Sequence, residues 1–494
     1  MSKKTTAEKR VASKNTDTVW SPLVKTVAAV CAVILVAAIV LAIVAQCGVF
    51  RRNTVVMKVG DTEISALEFN YGYYTTLNDF YYNYYYYLSY IGFNPSMPLK
   101  SQTCYFDSSK TWFEYFVDQT KTQYEEVYLL YNKALSQQFA LTEESKADLD
   151  QAVSDIQKAA KENKMSVNEY LAAMYGKNIT LDDYIEFSTR RLISADFYNA
   201  YMDGLKYEDA EIDKYYSENK TTFDFADYYL YKVEIEKDEK EVDASARADA
   251  IKDAATSVDA FLAKIKELEG DTFTASDYLK ENGAYNKDDE MSKWLFEEER
   301  KEGDVKIFED GEDEDKVFNV VVFLKCARKE YKLASMRHIL FQVNNKTDDN
   351  GNPIKDKDGK VETDDAEQKA EAEKIFQQWK DNGATEDALA ALVEKNTDDT
   401  GSVENGGLYE DFDQDTMVEE ITDWLWKEGR KEGDCEIVKT EYGYHIVYFK
   451  GYGEIKWKSD VIATLKSNDY KKYQEGLKSE FEITYNENGF SQVG

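Results

Sequence analysis

The chain has 494 residues, 43% of them hydrophobic and 32% charged, with 61 basic and 95 acidic side chains and a net charge of −34. This composition excludes a wholly disordered chain, the length predicts three or four domains, and the acidity argues against nucleic acid as a partner, since phosphate is repelled. Two histidines and five cysteines exclude a multi-histidine metal site and make neither a disulfide framework nor a zinc knuckle.

Residues 27–45 are 19 consecutive uncharged positions, nearly all Val, Ala, Ile and Leu. As a helix they span about 28 Å, close to the hydrocarbon thickness of a bilayer. Lys3, Lys4, Lys9, Arg10, Lys14 and Lys25 precede them against Glu8 and Asp17, and Arg51 and Arg52 follow. This bias keeps the N-terminus cytoplasmic and exports the rest. We read 1–22 as a cytoplasmic tail and 23–50 as a transmembrane signal anchor, making a single-pass protein of the cell membrane with its bulk extracytoplasmic. The alternatives are a cleaved signal peptide, for which the apolar core is long, and a lipoprotein site at Cys47, where Gln46 fits poorly.

Residues 54–222 read as a mostly helical domain. Apolar periodicity predicts helices at about 66–90, 110–139, 143–163 and 181–205, and capping boxes begin at Ser65 and Ser166. Ten tyrosines stand between Tyr71 and Tyr90. Packing accounts for most of them in this reading, since Tyr buries a ring and keeps its hydroxyl wet. A minority is left to contact unfolded peptide.

From about residue 224 the chain repeats itself. The segment 294–304 (WLFEEERKEGD) returns at 424–434 (WLWKEGRKEGD), an offset of 130, and each copy is followed by a β-rich run. This predicts two tandem α+β domains, 223–330 and 331–455, each a small antiparallel sheet with flanking helices, and a C-terminal helix and tail at 456–494. Both histidines fall in the second copy, His338 on its first strand and His445 on its last. The alignment of copies sets Tyr228 opposite His338 and Asn319 opposite His445. If first and last strands are neighbours, the imidazoles converge; otherwise they are two separate core histidines.

Four separated motifs of the second copy occur in the order of a parvulin-type peptidyl-prolyl isomerase, and the copy resembles that family. They are Arg337-His338-Ile339-Leu340, then Asp398-Asp399-Thr400-Gly401-Ser402 with Gly406-Gly407-Leu408, then Met417 on a capped helix, then 438–446 (VKTEYGYHI). The wider layout resembles the PrsA-type and SurA-type extracytoplasmic foldases. The resemblance implies a parvulin isomerase domain at 331–455, a degenerate copy at 223–330 and a chaperone-like helical domain at 54–222. It implies that His338 and His445 are the paired imidazoles, Asp399 their acidic partner and Thr440 the hydroxyl that tunes them. It further implies a proline pocket of Leu340, Met417, Ile421 and Tyr442, with Ile421 where the family carries Phe. No metal or cofactor is implied, and the partners are unfolded or newly secreted polypeptides with X-Pro bonds. The alternative is a non-catalytic holdase using the parvulin-like domains as binding platforms. The polar insertion 346–366, four lysines against seven acids, argues against phosphate-directed specificity and reads as a solvated loop with a hairpin at Asp358-Gly359.

Overall fold

The computed structural model describes residues 48–236, 240–312, 315–348, 352–355 and 363–494. The apolar run 27–45, Cys47 and the hairpin expected at Asp358-Gly359 lie outside the described residues. Among the described residues no helix is long and apolar enough to cross a membrane. The chain divides into two units: residues up to 206 with 468–494, and residues 207–467.

In the first unit, strands β1 (Val55–Val59) and β2 (Thr62–Ser65) form a hairpin through Gly60, whose φ of +55° suits a residue without a side chain. Helices make up most of 54–222, and this hairpin is a strand pair within it that the sequence reading did not single out. Its nine strand residues are too few to compete with the helical periodicity that follows. Helices α1 (Val49–Asn53), α2 (Ala66–Asn83), α3 (Trp112–Ser136), α4 (Glu143–Glu162), α5 (Val167–Tyr175) and α6 (Leu181–Gly204) complete this segment. Ser166 and Glu169 close a full capping box at α5. At α2 only half of one forms. Ser65 caps the backbone of Glu68, but the Glu68 carboxylate turns inward to Tyr128 and Arg190.

The core of this unit is aromatic, with Phe69, Trp112, Phe116, Tyr124 and Tyr128 fully buried. Helices α2 and α3 approach so closely at Gly72 that a Cβ there would lie 2.4 Å from the Tyr124 ring. The tyrosine-rich segment reverses its expectation. Tyr71 and Tyr73 are buried, but Tyr81, Tyr82, Tyr84, Tyr85, Tyr86, Tyr87 and Tyr90 are exposed. Tyr81 and Tyr82 lie on the exposed side of the last turn of α2, which ends at Asn83, and a 3-10 turn at Tyr85–Tyr87 carries the later rings off the packed face.

The second unit opens with α7 (Asp209–Glu218) and α8 (Lys220–Phe223) and holds two antiparallel four-stranded sheets. The first has the order β4-β3-β6-β5, from β3 (Asp224–Glu234), β4 (Leu279–Gly283), β5 (Val305–Asp310) and β6 (Val317–Arg328). Helices α9 (Glu241–Ala254), α10 (Val258–Glu269), α11 (Ala275–Tyr278) and α12 (Glu290–Leu295) belong to it. The second has the order β10-β7-β12-β11, from β7 (Lys332–Gln342), β10 (Leu408–Phe412), β11 (Cys435–Lys439) and β12 (Gly443–Ile455). Between β7 and β10 lie a short pair, β8 (Asn344–Asn345) with β9 (Thr363–Asp364), and helices α13 (Ala366–Asp381) and α14 (Glu386–Asn396). Helix α15 (Glu419–Leu425) precedes β11, and α16 (Lys456–Glu480) follows β12.

The repeated motif has one physical job in both copies. Arg300 lies 4.0 Å from the Trp294 ring and donates to the Trp294 carbonyl; Arg430 lies 3.6 Å from the Trp424 ring and donates to the Trp424 carbonyl. Asp304 and Asp434 each accept the backbone N–H three residues before them and pair with that arginine. The stacked, hydrogen-bonded guanidinium pins the turn that starts the next strand.

This motif also corrects the alignment of the two copies. Gly303 donates to the Phe323 carbonyl and Gly433 to that of Phe449, so those phenylalanines are equivalent. Phe323 pairs with Tyr228 across the sheet, and Phe449 pairs with Met336. Tyr228 is therefore the counterpart of Met336, and Leu230 that of His338; Asn319 remains the counterpart of His445. The sequence alignment slipped by two residues, which leaves the alternation of faces intact and so goes unnoticed in the pattern.

Candidate active site

The central strands β7 and β12 of the second sheet alternate between two cores. Ile339, Phe341, Tyr444 and Ile446 face α13 and α14. Met336, Val447 and Phe449 face Ile421, Trp424 and Leu425 of α15. His338 and His445 continue the second row. His338 pairs with Val447 and His445 with Leu340, so the two histidines are diagonal neighbours on adjacent strands. Their rings lie nearly parallel at 14°, with Nδ1 facing Nδ1 at 3.2 Å, and each residue is 5% exposed.

The outer nitrogens have different partners. His338 Nε2 is 2.8 Å from Asp399 Oδ2, and His445 Nε2 is 2.9 Å from Thr440 Oγ1. Asp399 comes from the loop after α14, which the edge of β7 holds in place. Leu340 donates to Thr397 Oγ1, Asp398 donates to the Leu340 carbonyl, and His338 donates to the Gly407 carbonyl. Gly407 sits at φ +74°, where a Cβ would lie 2.3 Å from the His338 carbonyl oxygen. Only glycine lets this loop close on the strand. Thr440 lies in the β11–β12 turn, with its N–H on the Gly443 carbonyl and the Tyr442 N–H on its hydroxyl oxygen.

These partners order the protons. The Asp399 carboxylate only accepts, so His338 Nε2 carries a proton. With both rings neutral, His338 Nδ1 accepts from His445 Nδ1, and His445 Nε2 accepts from the Thr440 hydroxyl. The Tyr442 N–H occupies the Thr440 oxygen as a donor, leaving the hydroxyl proton for His445. The His338 hydrogen bond, opposed by burial and aided by Ser402 and Tyr409, holds the Asp399 carboxyl well below the usual carboxylate range. Burial, then the neighbouring His338, pushes His445 down to about 3, so that ring is neutral at physiological pH.

Two members of the site escape the sequence reading as participants. Ser402 Oγ donates to Asp399 Oδ2 at 2.6 Å and Tyr409 donates to the same oxygen at 2.9 Å. The Tyr409 ring also meets His338 edge to face, centroids 5.3 Å apart. The Asp-x-x-Ser spacing is a recognisable turn signal for the first. Nothing in the spacing of Tyr409 points to the second.

Of the expected pocket residues, Leu340 is partly buried beside His445 on the neighbouring strand. Met417 is not on a capped helix: it precedes α15, whose N-cap Val418 makes no side-chain cap, and its carbonyl accepts from the Thr422 hydroxyl. Met417 and Tyr409 pack on the core that contains Ile421. Ile421, 2% exposed, is a member of that core, and Tyr442 is 52% exposed.

Residues 338–451 match the rotamase family described as the PPIC-type PPIase domain. No curated protein matches the chain. Among solved structures, the chain is similar to PrsA from Bacillus subtilis at 16% identity over 75% of this chain and 86% of that one, with a TM-score of 0.28. It is also similar to the peptidylprolyl isomerase PrsA from Bacillus anthracis at 21% identity over 31% of this chain, TM-score 0.18; the match spans 61% of that relative's length. A third similarity, 15% identity over 70% of this chain and 88% of the other, TM-score 0.17, is to a structure from a study of two SurA-like chaperones of Campylobacter jejuni. The chain thus carries, at residues 338–451, a peptidyl-prolyl isomerase domain of the PPIC type, the parvulin family.

Proposed function

We propose that the protein is a membrane-anchored extracytoplasmic foldase whose second α+β domain isomerises X-Pro bonds in unfolded or newly secreted polypeptides. The observation that carries this reading is the ordered chain Thr440–His445–His338–Asp399 along one apolar sheet face. Rotation about an amide breaks C–N resonance and meets a barrier of about 18–20 kcal/mol, which leaves X-Pro isomerisation at tens to hundreds of seconds unaided. A slot that is apolar around the ring disfavours the planar, more polar amide relative to the twisted one. Fixed donors and acceptors then hold the twisted geometry without reorganising.

In this reading His338 and His445 form the polar floor, with Leu340 and Met417 beside it. Ile421 backs the wall from within the core, and Tyr442 stands at the rim. Asp399, Ser402, Tyr409 and Thr440 act as positioning residues, because each touches a histidine or the carboxylate that holds one. The step needs no covalent intermediate and no cofactor.

The helical unit supplies chaperone contact. Two cavities of about 470 and 280 Å³ share Arg191 and Leu192 as lining and are bounded by Val127, Leu130 and Tyr198 in one and Leu149 and Tyr184 in the other. Such half-apolar hollows suit short hydrophobic stretches of a client. The apolar run 27–45 tethers the whole to the cell membrane with the N-terminus cytoplasmic.

The test is isomerisation of a proline tetrapeptide by the full chain and by the double variant His338→Ala, His445→Ala. Equal rates would remove the catalytic reading. A loss of rate with client aggregation still suppressed assigns the two activities to separate parts.

A further inference from the structure

Between Asp79 and Lys100 the chain runs for twenty residues without a charged side chain, in a protein that is 32% charged. The structure shows how this island is built. Phe80, Leu88, Ile91 and Phe93 point inward, onto a core that includes Trp112 and Phe116. Above them the tyrosines stand out, Tyr82 and Tyr86 at 85% exposure and Tyr90 at 81%, joined by Met97 and Phe106. Exposure here comes from a buttressed surface, not from an unpacked end.

The amides at one end of the island are engaged in holding its loop. Gln102 Nε2 donates to the carbonyls of Asn94 and Met97, its Oε1 accepts from Asn94 N–H, and Asn94 Oδ1 accepts from Ser96 N–H. The exposed side chains of residues 81–90 are seven tyrosines with Asn83 and Ser89, a surface of rings and phenols without a charged group to bracket a polar ligand. A medium that demands apolar area and a wet phenol edge finds both. That medium is the headgroup–acyl boundary of a bilayer, where Tyr is enriched. An acidic body is repelled by anionic lipid, and a charge-free face is the one that can approach it.

The position along the chain agrees. Gly48 stands three residues past the apolar run 27–45. Gly48 lies against Asn178, and nearby Gly176 lies against Asn70 and Tyr74 of α2. From Tyr74 to the end of α2 at Asn83 is about 14 Å of helix. The segment 176–178 thus lies between the start of the unit at Gly48 and the middle of α2, the helix whose C-terminal end leads into the tyrosine surface.

We infer that the tyrosine surface at residues 81–90 is a second membrane contact, seated in the interface of the same bilayer; the inference rests on reading 27–45 as an anchor. It holds the unit against the membrane by area and aromatic edges, with no lipid headgroup recognised by charge.

The experiment uses the full chain in vesicles of phosphatidylcholine and phosphatidylglycerol, with the photoreactive residue p-benzoylphenylalanine in place of Tyr86 or, as control, of Leu135. Leu135 is 48% exposed and lies near the far end of α3, about 34 Å along the helix from Trp112. Lipid adducts at position 86 exceeding those at 135 by about tenfold support the surface as a membrane contact. Crosslinks from position 86 to polypeptide, or equal lipid adducts at both positions, overturn it. Alkaline carbonate extraction separates the two readings. A chain that stays in the membrane without lipid adducts at 86 retains the anchor and loses the surface. A chain that is extracted yet carries the adduct loses the anchor and retains the surface.

Discussion

Asp399 and Thr440 terminate one hydrogen-bonded line from opposite ends: the carboxylate can only take a proton from His338 and, with both rings neutral, the hydroxyl gives its own to His445. The 3.2 Å contact between the two Nδ1 atoms is thereby polarised in one direction. The isomerase reading makes the line testable at each link.

Asp399→Asn keeps a side-chain oxygen near His338 Nε2 but removes the charge that fixes which nitrogen is protonated. A charge-assisted hydrogen bond contributes about 1.5–3 kcal/mol, so kcat/KM on a proline tetrapeptide should fall about 10- to 100-fold. The loss should sit mainly in kcat, since no part of Asp399 is needed to bind the substrate. An unchanged kcat with raised KM would assign Asp399 to binding.

Thr440→Val leaves His445 Nε2 buried without its donor. Stability should fall by about 1–3 kcal/mol, the cost of an unsatisfied buried group. Thr440→Ser should recover most of it, because the hydroxyl returns. Urea unfolding of the three proteins checks this, and equal midpoints for Ser and Val would show that the methyl group, not the hydroxyl, carries the effect.

The pH dependence follows from His445. Its folded value, about 3, lies below the ordinary histidine value of about 6.5 in an unfolded chain. Between those values the unfolded chain binds the extra proton, so stability rises with pH. The stabilisation from a neutral, buried His445 is complete above about pH 6.5 and is lost as pH falls toward 3. Asp399, held low, adds a loss below about pH 4, where unfolded carboxylates take up protons. Hydrogen exchange of the β7 and β12 amides from pH 7.5 to 4.5, corrected for intrinsic rates, should show protection falling with acid. His445→Gln should flatten that fall.

Gly407→Ala places a methyl group 2.3 Å from the His338 carbonyl oxygen, at a φ of +74° that a side chain resists. The strain is of order 1–3 kcal/mol and is relieved by moving the 399–407 loop away from β7. Since that loop delivers Asp399, activity and stability should both decline. Retained activity with an unchanged urea midpoint would show that the loop has slack at this point.

Much of the second domain is visible in the one-dimensional chain. A motif returning at 130 residues locates the pair of copies, and both histidines stand on strands of the same copy. Asp399 and Thr440 become partners through the family resemblance, not through spacing. Tyr409 is not legible as a partner in the sequence, because its hydroxyl reaches Asp399 only once β10 has paired with β7. The two-residue slip at Leu230 has a similar origin. Alternating strands fit equally well at shifts of two, and hydrogen-bonded pairing alone chooses between them. The tyrosine segment erred in the other direction. Its helical spacing is real as far as Asn83, but Tyr81 and Tyr82 already face outward there, and the rings beyond follow a turn.

By itself the amino-acid order determined what depends on near neighbours or on counting: net charge, the uncharged run at 27–45, helix caps at Ser65 and Ser166, the repeat, and a supply of only two imidazoles. Tertiary structure decided which nitrogen meets which partner, the direction of the proton line, the register between the copies and which tyrosines face water. Thr440 meets His445 from five residues away, but the line as a whole depends on contacts across 60 to more than 100 residues of chain, as between His338 and Asp399 or His338 and His445. Local periodicity constrains the face a side chain takes on its own element, but only packing between distant elements sets what it meets there.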